Sequence, residues 1–197
     1  MINEGYIKFK CLLIEGNPPT LEDLSELNEC RNTLYRMGLI GMYADGIGFG
    51  NISIKKPDGR IIITGSKTGA CEKLNPEDYC TIENYSFESN NVICSGAIKA
   101  SSETLTHAAL YECSKTIKCV IHIHSHLLWN RLINKIPTTS PEVEYGTPEM
   151  AYEIKRIFTE TNAEDIKVMV MGGHKEGIIC FGENVSDCYA NLIENIK

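Results

Sequence analysis

The stretch VIHIHSH, Val120 to His126, carries three of the chain's five histidines on alternate positions. Upstream of it, IKCVIHIH alternates β-branched residues with Cys and His, which predicts a strand over Ile117–His124. On a strand, residues two apart point the same way, roughly 6.5–7 Å from one another along the chain. His122 and His124 would then share a face, and two imidazoles so placed can converge on one ion at about 2.0–2.1 Å per bond if their rotamers lean together. The bland alternative is a half-exposed strand with titratable groups on its wet side. His126 shares the period but is expected at the strand end rather than among the ligands.

A third ligand from elsewhere in the chain would leave such a site open on one side, as catalysis requires. His174 is the candidate. It sits in GGHKEG, Gly172–Gly177, between the apolar runs IKVMVM and GIICFG. Glycines there let the backbone turn sharply and approach a neighbour closely. Neutral imidazoles with few thiolates suit zinc, with other divalent first-row metals also possible.

Working outward, strands and helices interleave. PTLEDLSELNECRNTLYRMG predicts a helix in which Thr20 caps with Asp23, and leucines recur at helical spacing. NISI and RIIIT are β-type runs joined by the turn signal KKPDG. SSETLTHAALYECSK opens with hydroxyl capping candidates and continues as a helix, and PEMAYEIKRIFTE is a helix with Pro148 at its start. SDCYANLIENIK closes the chain as a helix capped by Ser186. This order predicts an α/β fold whose sheet is covered by helices.

A chain of 197 residues suits one substantial core, so a single domain over 1–197 is expected. Its formal charge of −7, without a dense Lys/Arg block, argues against nucleic acid or an anionic membrane as partner. No run approaches the roughly 18 apolar residues of a membrane span. The opening MINEGYIKFKCLLIEGN lacks the charged, apolar, small layout of a secretory signal. The nine cysteines are odd in number, irregular in spacing and without a C-x-x-C. That usage fits buried thiols in a reducing, cytoplasmic compartment.

Three further stretches could carry chemistry. In SSETLTH, Glu103 and His107 stand four apart on one helix face. Glu103 is either an exposed first-turn acid that favours the helix dipole, or, if it lies beside a metal, a general base tuned by burial. His107 is expected as a structural partner rather than a ligand. GIGFGNIS leads into a strand, so its glycines are not a dinucleotide fingerprint. ITGSKTGA follows a strand; Lys67 gives it a phosphate-binding look, but its spacing is not that of a Walker loop. Successive N–H groups in such turns can form an anion nest, and Ser101 and Ser102 add hydroxyls at a predicted helix start. Together these would form a phosphate pocket if the fold brings them into one place.

The motif order GNISI, ITGSKTG, SSETLTHAALY, VIHIHSH, YGTPEMA and a glycine-flanked His before an apolar strand resembles the class II aldolase/adducin family. The resemblance spans about residues 20 to 195, and its core is S-S-E-x-x-x-H followed by V-I-H-x-H-S. It implies a three-layer α/β/α sandwich with a central, mainly antiparallel sheet, and a homo-oligomer, commonly a tetramer, with sites between subunits. It also implies His122, His124 and His174 as ligands of one zinc or similar divalent ion per subunit, with Glu103 as the base beside it. Gly50, Asn51, Thr68, Gly69, Ser101 and Ser102 fall on motifs that hold a substrate phosphate. The expected activity is that of an aldolase (a lyase) or epimerase acting on a small phosphorylated ketose through an enediolate. A dehydratase on the same site, and a non-catalytic adducin-like interaction module, are the alternatives.

The chain differs from the sugar-phosphate aldolases at four points. The segment HLLWNRLINKIPTTSPEVEYGT is short and offers no tyrosine to act as acid, Tyr145 being expected to pack. ITGSKTG is one residue longer than the usual turn. His174 is followed by Lys-Glu-Gly rather than directly by glycine. The segment that closes some family sites from the C-terminal side is not expected here.

Overall fold

The histidine stretch lies inside an eight-stranded sheet, one strand short of the middle pair. In this computed structural model, which describes residues 6–196, the order of elements is β1 (Lys10–Ile14), α1 (Leu21–Arg36), β2 (Gly41–Met42), β3 (Gly48–Phe49), β4 (Asn51–Lys55), β5 (Ile61–Thr64), β6 (Tyr79–Ser86) and β7 (Asn91–Gly96). There follow α2 (Thr104–Cys113), β8 (Cys119–His124), α3 (His126–Leu132), α4 (Pro148–Glu160), α5 (Ala163–Ile166), β9 (Val168–Val170), β10 (Gly177–Gly182) and α6 (Val185–Ile196). The first five residues of the N-terminal stretch, and Lys197 at the end of the expected 1–197 unit, lie outside the described residues.

The sheet runs β1-β7-β6-β5-β4-β8-β10-β9. Its β1–β7 pair is parallel and its other neighbours are antiparallel, as the mainly antiparallel expectation required. Alternation on β8 decides which layer each residue joins. Cys119, Ile121 and Ile123 pack with Leu24, Leu27 and Leu34 of α1 and Cys188 and Leu192 of α6. Val120 packs on the other face with Leu105 and Ala109 of α2 and Ile154 and Ile157 of α4. Helices therefore cover both faces, giving three layers. Each fully buried leucine or isoleucine stabilises the fold by about 1.5–3 kcal/mol. His122 and His124 have Val120's parity and so point to the α2/α4 side.

Local signals explain most boundaries. Thr20 Oγ1 accepts from the Asp23 N–H at 3.2 Å while Asp23 Oδ2 accepts from the Thr20 N–H, the reciprocal box expected at the start of α1. Pro148 is the first residue of α4, whose cap is Thr147, with Oγ1 accepting from the Met150 N–H. Two expected caps are corrected. Ser186 lies inside α6, and Asn184 Oδ1 accepts from the Asp187 N–H at 2.8 Å instead. At α2 the position before the helix is Glu103, whose side chain makes no cap bond; Ser101 and Ser102 lie upstream in the turn. Among the described residues, no helix is long and apolar enough to cross a membrane.

Candidate active site

Pairing along β8 brings the remote motifs to one end of the sheet. Asn51 of β4 stands opposite His122, and Gly177 at the start of β10 stands opposite His124. The six residues before Gly177 form the turn that carries His174, closed by Met171 N–H to Gly177 O at 3.0 Å and Gly177 N–H to His174 O at 2.8 Å. Gly173 is required there by proximity: a Cβ would stand 2.0 Å from Val143 O. The 143–145 segment thus presses on the turn, and the Tyr145 ring stacks on His174 at 4.5 Å between centroids. The Lys8 ammonium lies over the Tyr145 ring, 3.9 Å from its centroid.

The turn ITGSKTG reaches the same place through a bridge between Gly65 and Ala100 and a bond from Ser66 N–H to Lys99 O at 2.8 Å. It therefore lies beside Ser101 and Ser102. Gly69 seats it on the β2–β3 hairpin, where a Cβ would fall 2.2 Å from Gly41 O. From the α1 side, the buried Arg31 donates to Thr68 O at 3.1 Å and to Glu72 O at 2.6 Å. Its guanidinium ties the loop down and does not line the cleft.

The result is a small cleft lined by all ten residues assigned to the site from the sequence. Gly50, Asn51, Thr68, Gly69, Ser101 and Ser102 line it together with Lys67, Glu103, His122, His124 and His174. His107 and His126 are not part of it. His107 is fully buried, with Nδ1 2.7 Å from Ser53 Oγ, which also meets Tyr111 Oη at 2.7 Å. His126 is exposed at the start of α3, beside Asn130.

Donor nitrogens of His122, His124 and His174 all lie within 4.8 Å of one another. The Nε2 atoms of His122 and His124 are 2.9 Å apart. Two ligands at about 2.0–2.1 Å from a tetrahedrally held ion stand roughly 3.3 Å from each other, so only a small adjustment separates the two geometries. Burial drives the pKa values of His122 and His124 well below the ordinary range, with the neighbouring imidazoles adding to it. Burial, then Lys8, depresses His174 to about 3. All three rings are thus neutral at pH 7, the state that ligates a metal. His122 Nδ1 and Asn51 Oδ1 are buried without a hydrogen-bond partner among the described residues. A compact set of neutral imidazoles at the end of an open cleft fits a divalent first-row ion.

Glu103, 2% exposed, is not the solvated helix acid of the bland alternative. Its Oε2 accepts from Thr106 Oγ1 at 2.7 Å, and its Oε1 lies 3.5 Å from His174 Nδ1. Three participants escaped the sequence reading. Thr106 stands three residues after Glu103 on the same helix and could have been found by that spacing. Tyr43 and Glu176 could not: Tyr43 Oη lies 2.8 Å from His124 Nδ1 and 2.8 Å from Glu176 Oε2.

Comparison with known proteins gives the same picture. The family described as "Class II Aldolase and Adducin N-terminal domain" matches residues 26–195. A protein of Mycoplasma pneumoniae named "Probable L-ribulose-5-phosphate 4-epimerase UlaF" is 29% identical over 77 residues, 39% of this chain. That match takes in only 30% of the relative's own length. Among solved structures, an L-fuculose 1-phosphate aldolase superposes with a TM-score of 0.67 at 18% identity, covering 91% of this chain and 83% of its own. The L-fuculose-1-phosphate aldolase of Thermus thermophilus gives 0.62 at 19% identity, covering 87% of each chain. At such identities these two structures bear on the fold alone.

Proposed function

This chain belongs to the class II aldolase and adducin family, and from that premise we propose that it is a divalent-metal-dependent aldolase or epimerase of a small phosphorylated ketose, working through an enediolate. The observation that carries the proposal is the gathering of two chemistries in the lining of one cleft. Three clustered imidazoles and a buried carboxylate share its lining with Gly50, Asn51, Thr68, Gly69, Ser101 and Ser102. In this assignment His122, His124 and His174 hold the ion, zinc by preference. When bound, the ion supplies Lewis acidity where negative charge builds up on substrate oxygen.

Glu103 is assigned the proton transfer. It lies beside His174, and Thr106 occupies Oε2, which leaves Oε1 as the oxygen nearer the imidazoles. Gly50, Asn51, Thr68, Gly69, Ser101 and Ser102 are assigned to the substrate phosphate, so that binding at the remote end positions the reacting carbon. We take residues 1–197 as one domain, with one ion per subunit of a homo-oligomer, a tetramer by analogy with the family. A cytoplasmic location is supported by nine cysteines that are all free thiols.

The test is metal content per chain on gently purified protein, in wild type and in His122→Ala, followed by a screen of ketose phosphates. About one ion per chain, lost in the variant, with turnover of a ketose phosphate, is expected. Absence of metal after reconstitution at neutral pH would sink the proposal in favour of a non-catalytic interaction module. Metal without cleavage or epimerisation, but with loss of water from the substrate, would make it a dehydratase.

A further inference from the structure

One ring of the triad is held by a chain of polar atoms that begins outside the cleft. Tyr43 follows β2 in the turn of the β2–β3 hairpin, closed by Tyr43 N–H to Ile47 O at 2.8 Å. Glu176 belongs to the β9–β10 turn, two residues after His174. Its backbone adopts φ +73°, a left-handed conformation uncommon for a glutamate, and its carbonyl accepts from the Ser125 N–H at 2.9 Å. These segments meet His124 from behind, on the Nδ1 side of the ring. Phe49 stacks on the same ring at 5.4 Å and packs on Tyr43 at 4.5 Å.

The two contacts of the Tyr43 hydroxyl assign the protons along this chain. A carboxylate only accepts, so the single Tyr43 hydroxyl proton goes to Glu176 Oε2. The Tyr43 oxygen is then left to accept, and its neighbour at 2.8 Å must be an Nδ1–H of His124. An imidazole that ligates a metal carries one proton, so the lone pair of His124 lies on Nε2, the atom that faces His122.

We infer that Tyr43 and Glu176 are positioning residues for the metal centre: the chain Glu176 carboxylate, Tyr43 hydroxyl, His124 Nδ1–H locks His124 in the tautomer and orientation that present Nε2 to the ion. This rests on the metal-site assignment above and adds to it two residues from separate loops. Neither lines the cleft, so neither touches substrate there. The left-handed backbone of Glu176 becomes intelligible, because that turn aims its carboxylate at Tyr43 while His174 enters the cleft.

Outer partners of this kind typically change metal affinity by roughly 10–100-fold. The test is competition between the full-length protein and a chromophoric chelator for Zn2+, in wild type, Tyr43→Phe, Glu176→Gln and the double variant, with the thermal midpoint of each metal-free protein alongside. Tyr43→Phe should weaken zinc binding roughly 10–100-fold with little change in that midpoint. Glu176→Gln keeps an acceptor oxygen and should cost less. Because the two act in series, the double variant should bind no more weakly than Tyr43→Phe alone. Wild-type affinity in Tyr43→Phe, or multiplicative losses in the double variant, would overturn the inference and leave the metal site standing. Failure of the wild type itself to bind zinc would overturn both, and is distinguishable because it needs no variant. Should Tyr43→Phe not fold, imidazole 15N shifts of the wild-type protein decide. His124 protonated on Nδ1 is expected, and protonation on Nε2 would refute the inference.

Discussion

Two buried histidine clusters lie near each other in this molecule, and only one of them looks like a site. His107 of α2, Ser53 of β4 and Tyr111 of α2 form a closed group in the layer between helix and sheet. His122, His124 and His174 form an open group at the strand end, where the cleft begins. Burial is complete or nearly so in both, with His107 at 0% exposure and the triad between 1% and 5%. Burial also depresses the pKa in both. What separates them is the company of the rings: His107 lies alone among helix and strand side chains, whereas His122, His124 and His174 cluster at the cleft. In the closed group, one hydroxyl, Ser53 Oγ, meets the ring at Nδ1; in the open group, nitrogens of three rings lie within 4.8 Å of one another beside the cleft. Perturbed titration alone marks a candidate, and convergence beside a cavity adds the geometry that a metal ion needs.

The largest expected effect treats the clusters alike. Each ring has a folded pKa below the unfolded value of about 6.5, so below that pH the unfolded chain binds more protons. Stability is fully present above about 6.5 and is lost as pH falls towards the folded values, at about 1.4 kcal/mol per pH unit for each ring. For His174 this window extends down to about 3. Against a total of about 5–15 kcal/mol, metal-free protein should unfold steeply in mild acid, as followed by circular dichroism. Saturating zinc should shift the midpoint to lower pH, because a coordinated nitrogen offers no lone pair to a proton. An unchanged midpoint would place the ion elsewhere.

Substitutions then pull the clusters apart. Glu103→Gln should lower turnover by roughly 10²–10⁴-fold at near wild-type metal content; retained turnover would remove Glu103 as the base. His124→Ala should strip the metal and leave the fold largely intact, whereas His107→Ala should keep the metal and lose about 2–5 kcal/mol in denaturant unfolding through a cavity and stranded hydroxyls. The reverse pattern would invert the roles given to the two groups. Thr106→Val removes one bond to the Glu103 carboxylate, worth about 1.5–3 kcal/mol; kcat should fall roughly ten-fold or more, with metal content unmoved. His126→Ala, at an exposed position, should change stability by no more than about 0.5 kcal/mol and leave metal and turnover alone.

Legibility of these features follows from how local their causes are. The β8 alternation, the Thr20–Asp23 box and Pro148 at the head of α4 are set by neighbours a few residues apart, and all were readable in order. Ser186 misled because Asn184, two residues earlier, competes for the same cap, and only the path of the chain out of β10 chooses between them. The hydroxyls of Ser101 and Ser102 suggested a helix cap, yet the backbone there turns into the cleft and leaves Glu103 at the cap position. β1, β6 and β7 went unremarked in the sequence: YCTIENYS mixes polar residues into its run, and a strand at the parallel edge takes its register from a distant partner.

By itself the sequence determined the histidine pair on one face of a strand, the α/β class, and the family whose motif order this chain shares. Those depend on periods of two and three to four residues and on a fixed succession of motifs. Tertiary structure alone decided that the His174 turn meets the end of β8, that Glu103 is buried with Thr106 on its second oxygen, and that Tyr43 and Glu176 stand behind His124. Tyr43 and Glu176 lie 133 positions apart. No local preference encodes such a contact; it exists because the strands that carry the segments pair in one register and the cores on both faces of the sheet hold that register in place.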